Sequence, residues 1–281
     1  MHEKLNFRTT FFSSIKGKLV FSFGIFILLL SIIFLIFFWL QAKENKIRDI
    51  ADTLKDLNLK VQNASNLEKD FLIWETINEQ FYETGESIYA IDHKASVEQI
   101  KAMLEKLKQD EDLGGDFVSD NIEEVVEKIN DFEMIFDSLV SNIKERGFKR
   151  YGLEGEMKAA MNELSVYNTI IPPIILAEAR SAEKDYIIQR DARAIQKLEE
   201  AVAKIDQVIT QNVKDQRLKS ILLKSFEKYW EAFENLKNVD SSIGYEGQPG
   251  LREVMSKLSF EIEQLIEDID REVSQRAEQL K

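Results

Sequence analysis

The sequence predicts an all-α protein: an N-terminal transmembrane helix followed by two tandem four-helix-bundle units built from an internal repeat. Three observations carry this expectation. Glycine is scarce at 11 and proline at 3 in 281 residues, while 31% of the chain is charged and 44% apolar. That composition suits long amphipathic helices around a real core better than sheet or a disordered chain. Residues 19–40 carry no charged side chain. Finally, Glu68-Lys69-Asp70-Phe71-Leu72-Ile73 returns 115 positions later as Glu183-Lys184-Asp185-Tyr186-Ile187-Ile188.

The apolar segment of 22 residues spans about 33 Å as a helix, enough to cross a bilayer core. A cleaved signal peptide would be shorter and end at small residues, whereas this segment ends in Phe37-Phe38-Trp39-Leu40. Lys4, Arg8, Lys16 and Lys18 precede it with only Glu3 opposing. The positive-inside rule therefore makes 1–18 a cytoplasmic tail, 19–40 the span, and everything after Gln41 external.

Repetition goes deeper than one word. Phe132, Phe136 and Leu139 answer to Tyr229, Phe233 and Leu236, and Gly152-Leu153-Glu154-Gly155-Glu156-Met157 answers to Gly250-Leu251-Arg252-Glu253-Val254-Met255. Three words recurring in one order define two repeats, 41–171 and 174–281.

Within the first repeat, Ile47, Ile50, Leu54, Leu57, Val61, Ala64, Glu68 and Phe71 step by threes and fours, predicting a helix over about 42–74. Residues 76–86 break the period and read as a loop, with Ser87 capping a second helix to about 110. A turn at 113–116 leads to a third helix, whose seam runs through Ile122, Val125, Ile129, Phe132, Phe136, Leu139 and Ile143. Gly147 and Gly152 permit a turn with positive φ before a fourth helix that runs from Leu153 to Ile171.

Pro172-Pro173 removes two backbone donors and separates the repeats, as a kink or as a full reversal. Helices over 174–190, 192–211, about 215–237 and 251–281 complete the second repeat. A chain that returns to the membrane needs an even number of antiparallel passes. That parity favours a reversal at the Pro pair and two units side by side, with a stacked arrangement as the competitor.

The net charge of −13 disfavours nucleic acid as a partner. No cysteine and only His2 and His93 leave no thiolate or histidine metal site, no triad and no expected cofactor. Acid pairs such as Glu123-Glu124 and Glu199-Glu200 read as solvated helix faces, and Gly152, Gly155 and Gly114-Gly115 match no phosphate loop. No enzyme is expected in these residues. Glu68 and Glu183 fall on buried seams, where a carboxylate requires a partner or a raised pKa, and the nearby cations are Lys69, Arg180 and Lys184. A small anion held by Lys69, Arg180, Lys184 and Arg190 is the candidate binding chemistry.

The EKDF/EKDY words, paired with RGFKRYGLEGEM behind one membrane helix, resemble the extracytoplasmic sensor region of bacterial chemoreceptors and sensor histidine kinases. The doubled plan looks like the helical bimodular class. The resemblance covers about 42–281 and implies a small-molecule ligand, often an organic acid, and helix displacement relayed across the membrane. It also implies a homodimer in the inner or cytoplasmic membrane with its bulk periplasmic or extracellular, and an output module beyond Lys281. The alternative is a membrane-tethered helical scaffold.

Overall fold

The computed structural model describes residues 15–110, 116–245 and 249–279. Every element among them is helical: α1 Ile15–Trp74, a 3-10 turn Glu75–Ile77, α2 Glu79–Thr84, α3 Ile88–Lys108, α4 Asp116–Arg146, α5 Gly152–Ser165, α6 Pro173–Gln189, α7 Ala192–Asn212, α8 Gln216–Ile243 and α9 Leu251–Gln279. The basic residues Lys4 and Arg8, His2, the turn expected from Leu113 to Gly115 and the last two residues lie outside the described residues.

α1 is the one helix among the described residues long and apolar enough to cross a membrane. Its side chains from Leu19 to Trp39 are exposed. The same helix continues without a break into the amphipathic seam. Ile47, Ile50, Leu54, Leu57, Val61, Ala64, Glu68 and Phe71 are all buried, as the heptad requires.

Local chemistry fixes most helix ends. Ser87 Oγ accepts from the Ala90 N–H at 3.2 Å, Asp191 from Ala194 at 2.7 Å, and Asp215 from Arg217 and Leu218. Residues 76–86, expected as a loop, contain α2, which begins at an Asn78 cap and ends at Gly85 with φ 77°. Its six residues are too few for a period to be visible in the sequence. α5 ends at Ser165, short of Ile171, in a series of turns, and α8 runs to Ile243 rather than about 237.

The chain reverses at the Pro pair. Pro173 opens α6 in the first turn, where a missing N–H is harmless. Arg180 on α6 then reaches back to Asn162 and Ser165 on α5, at 2.7 and 2.9 Å. A break is also kept between α7 and α8.

Packing does not follow the expected boundaries at 41–171 and 174–281. α1 packs on α3 and α9, and α4 packs on α3 and α9. α5 packs chiefly on α8, and α6 on α7. Each repeat's last helix thus packs chiefly on helices of the other repeat, α5 on α8 and α9 on α1 and α4. The reason lies at the junction, where α4 and α5, and likewise α8 and α9, make few contacts with each other and pack on other helices instead. Inter-helix contacts fix the register, with Lys101–Glu133 joining α3 to α4 at 2.5 Å and Lys128–Glu261 joining α4 to α9 at 2.7 Å.

The repeat is legible in the packing. Phe71 meets Phe136 edge-on with ring centroids 5.6 Å apart, and the equivalent Tyr186 meets Phe233 at 5.3 Å. Edge-to-face pairs of this kind add to the burial of the rings themselves.

Candidate functional site at the helix junction

The site lies where α4 gives way to α5 and α8 to α9. Gly147 (φ 82°) and Gly152 (φ 57°) come so close that a Cβ on Gly152 would stand 2.7 Å from the Gly147 Cα. In the other link a Cβ on Gly250 would stand 2.5 Å from the Gly244 Cα. Only glycine fits such close approaches, which explains the pairs Gly147 with Gly152 and Gly244 with Gly250.

Between the links lies a buried polar network. Arg146, the last residue of α4, donates from Nε to Asp240 at 2.8 Å and from Nη1 to Glu154 at 3.1 Å and to the Gly147 carbonyl at 3.1 Å. Tyr186 donates its hydroxyl to the second Asp240 oxygen at 2.8 Å. Glu154 also accepts from Lys158 at 2.5 Å and from the Lys149 N–H at 3.0 Å. The side chains of Arg146, Asp240 and Glu154 are each only 4 to 6% exposed. Burial opposes the charge on Arg146, but Asp240, Tyr245 and Glu154 outweigh it and hold the guanidinium protonated.

Beside this network opens a cleft of about 770 Å³. It is lined by repeat-equivalent pairs: Leu72 with Ile187, Ile73 with Ile188, Thr76 with Asp191, Phe148 with Tyr245, and Glu154 with Arg252. The cleft therefore lies between equivalent surfaces of the two halves. Arg190 ends α6 in the left-handed region (φ 52°), which turns its guanidinium over the Tyr245 ring at 3.9 Å. Burial pushes the Tyr245 hydroxyl pKa up, so it remains a donor. Arg146 Nη2 and Arg190 Nε are buried without a hydrogen-bond partner among the described residues, and Arg190 Nε stands 4.0 Å from Asp240. Orphaned buried donors of this kind call for an acceptor. Guanidinium groups beside a tyrosine hydroxyl suit a carboxylate.

A second cavity, of about 640 Å³, adjoins the first and shares Leu72, Tyr245 and Arg252 with it. Glu68 faces this one. Burial raises its pKa from 4.5 to about 7, against the pull of Lys69 and Arg252.

Of the residues singled out by sequence, Arg190 lines the first cavity and Lys69 the second. Arg180 is engaged with α5, and Lys184 is exposed and lines neither. Glu68 and Glu183 are both 5% exposed, but the expected seam ion pairs are absent among the described residues. Lys69 and Lys184 follow their glutamates by one position, so their stems leave the helix away from the seam. Glu183 instead lies 3.4 Å from the Tyr229 hydroxyl, with Lys158 the strongest cation acting on it.

Arg146, Asp240, Glu154, Tyr245 and Arg252 were missed. A signal existed for the first two: Arg146 continues the seam Phe136, Leu139, Ile143, and Asp240 continues Tyr229, Phe233, Leu236. No family model matches the chain, and no curated protein does.

Proposed function

We propose that the chain is the sensing region of a bacterial signal-transduction receptor, which takes a small organic anion into the junction cleft and relays helix displacement across the membrane. The observation that carries this reading is the continuity of α1. Its 60 residues join the apolar segment to Leu72 and Ile73 in the cleft wall, about 50 Å beyond residue 40 at roughly 1.5 Å per residue. The orphaned donors of Arg146 and Arg190 support an anionic ligand.

In this reading α1, α3, α4 and α9 form a membrane-proximal four-helix bundle and α5 to α8 a distal one, stacked end to end with their fourth helices exchanged. The N-terminus is cytoplasmic and both bundles are external.

The test is a thermal-shift series on the full chain in detergent, against a panel of mono-, di- and tricarboxylates. At least one should raise the midpoint saturably in the wild type and not in Arg190→Ala. Spin labels at Asp49→Cys on α1 and Gln275→Cys on α9, in a chain without native cysteine, should then report a changed distance. No shift with any acid would leave the scaffold reading.

A further inference from the structure

Glu68 and Glu183 hold equivalent positions in the repeat and are equally buried, yet their surroundings differ at every equivalent position that matters. The Tyr229 hydroxyl lies 3.4 Å from Glu183, and Lys158, bonded to Glu154, and Arg180, bonded to Asn162 and Ser165, act on it from a distance. Around Glu68 the equivalents are Phe132, Ser256 and Ser65, and Met161 is answered by Ser259. Each of these four exchanges removes a donor or volume, while Arg252 stands where Glu154 stands in the other half and acts on Glu68 as a cation. What is left is the 640 Å³ cavity, lined by Ser65, Glu68, Ser256 and Ser259 with Phe260 at its side. No hydrogen bond or ion pair reaches Glu68 from the described residues, although Lys69 and Arg252 act on it from a distance.

We propose that this cavity binds a primary alkylammonium, whose –NH₃⁺ stands beside Glu68, whereas the cations acting on Glu183 belong to the chain. An ammonium has three donors and no acceptor. Glu68 and the hydroxyls of Ser65, Ser256 and Ser259 supply acceptors, and Phe260 and Leu72 give apolar surface for a short alkyl chain. The charges of the lining fix the sign. Glu68, Glu253 and Glu263 stand against Lys69 and Arg252, so a monocation neutralises the cavity and an anion does not. The inference is independent of the anion cleft, because this cavity offers carboxylate and hydroxyl acceptors where the cleft offers guanidinium donors.

The experiment is calorimetric titration of the full chain in detergent at pH 8 with ethylamine, propylamine and ethanolamine, alongside three variants. At least one amine should bind saturably to the wild type and to Arg190→Ala, and at least tenfold more weakly to Glu68→Gln. Ser256→Lys places the ammonium on the chain itself, at an exposed helical position. It should abolish amine binding and raise the melting midpoint. Absence of binding by all three amines, or binding unchanged in both Glu68→Gln and Ser256→Lys, overturns the proposal. A Ser256→Lys chain that melts no higher than wild type also overturns it, since Glu68 would then have no use for an ammonium.

Discussion

Replacing Glu68 by glutamine should stabilise the fold above neutral pH and do nothing in acid. Glu68 is 5% exposed, and desolvation lifts its pKa from 4.5 to about 7. Between those values the folded chain holds a proton that the unfolded chain releases, so this group makes stability fall as pH rises through the window. Below about 4.5 both states are protonated and the effect vanishes. Above about 7 it is complete, and at roughly 1.4 kcal/mol per pKa unit it amounts to about 3 kcal/mol. The charges that face Glu68 are Lys69 on its own helix and Arg252, Glu253 and Glu263 on α9.

His93 titrates against this trend. Burial against Phe132 and Phe136 pulls its pKa down to about 4, so its contribution to stability rises with pH up to about 6.5. Only the difference between variant and wild type isolates Glu68. Melting of the full chain in detergent should give matching midpoints at pH 4.5, and Glu68→Gln higher by about 6 to 12 °C at pH 8.5, taking roughly 2 to 4 °C per kcal/mol for a chain of this size. Glu183→Gln should gain less, because Tyr229 and Lys158 already oppose the desolvation of Glu183. A Glu68→Gln variant less stable than wild type at pH 8.5 would mean that the carboxylate is paired, and would refute the reasoning.

Arg146→Ala strands Asp240 and Glu154 in a buried site and should destabilise by about 3 to 5 kcal/mol in denaturant melts, whereas Arg146→Met with Asp240→Leu should lose much less; a single-variant loss under about 1 kcal/mol would show that water reaches the network. Gly152→Ala should lower stability by at least about 1 to 3 kcal/mol, since it combines positive φ with a Cβ pressed on Gly147, and an unchanged midpoint would contradict the geometry of the link. Protease added to intact spheroplasts should cleave the chain after Gln41, and cleavage only after lysis would reverse the orientation.

Helix content and seam phase were legible because burial imposes a period on the sequence. Every α1 seam position from Ile47 to Phe71 is buried, Glu68 included. The partnership of the helices was not legible, because a heptad records which face is covered and not which helix covers it. The seam Met157, Ala160, Leu164 of α5 is equally compatible with packing on α4 or on α8, and the choice rests on how the Gly147–Gly152 turn directs the chain. Arg146 and Asp240 were overlooked for a related reason. With α8 expected to stop near residue 237, Asp240 read as loop, and Arg146 read as the edge of a turn rather than the next step of a seam.

The exchange of last helices has a mechanical consequence for the site. Were each repeat to fold on itself, the two units would be joined by one link and could swivel independently. With α5 packed on α8 and α9 on α1 and α4, the chain passes the junction twice, from α4 to α5 and from α8 to α9. Arg146 and Asp240 tie α4 to α8 there, next to each link. A group placed against Arg190 and Tyr245 touches the end of α6 and the entry to α9 together. Displacement at that point meets α1 and α9, which lie against each other. In the proposed sensing role, relative movement of this pair is the response to a bound ligand. The glycine turns let the links be short enough to transmit it, since longer links would absorb a shift of an ångström or two in their own dihedrals.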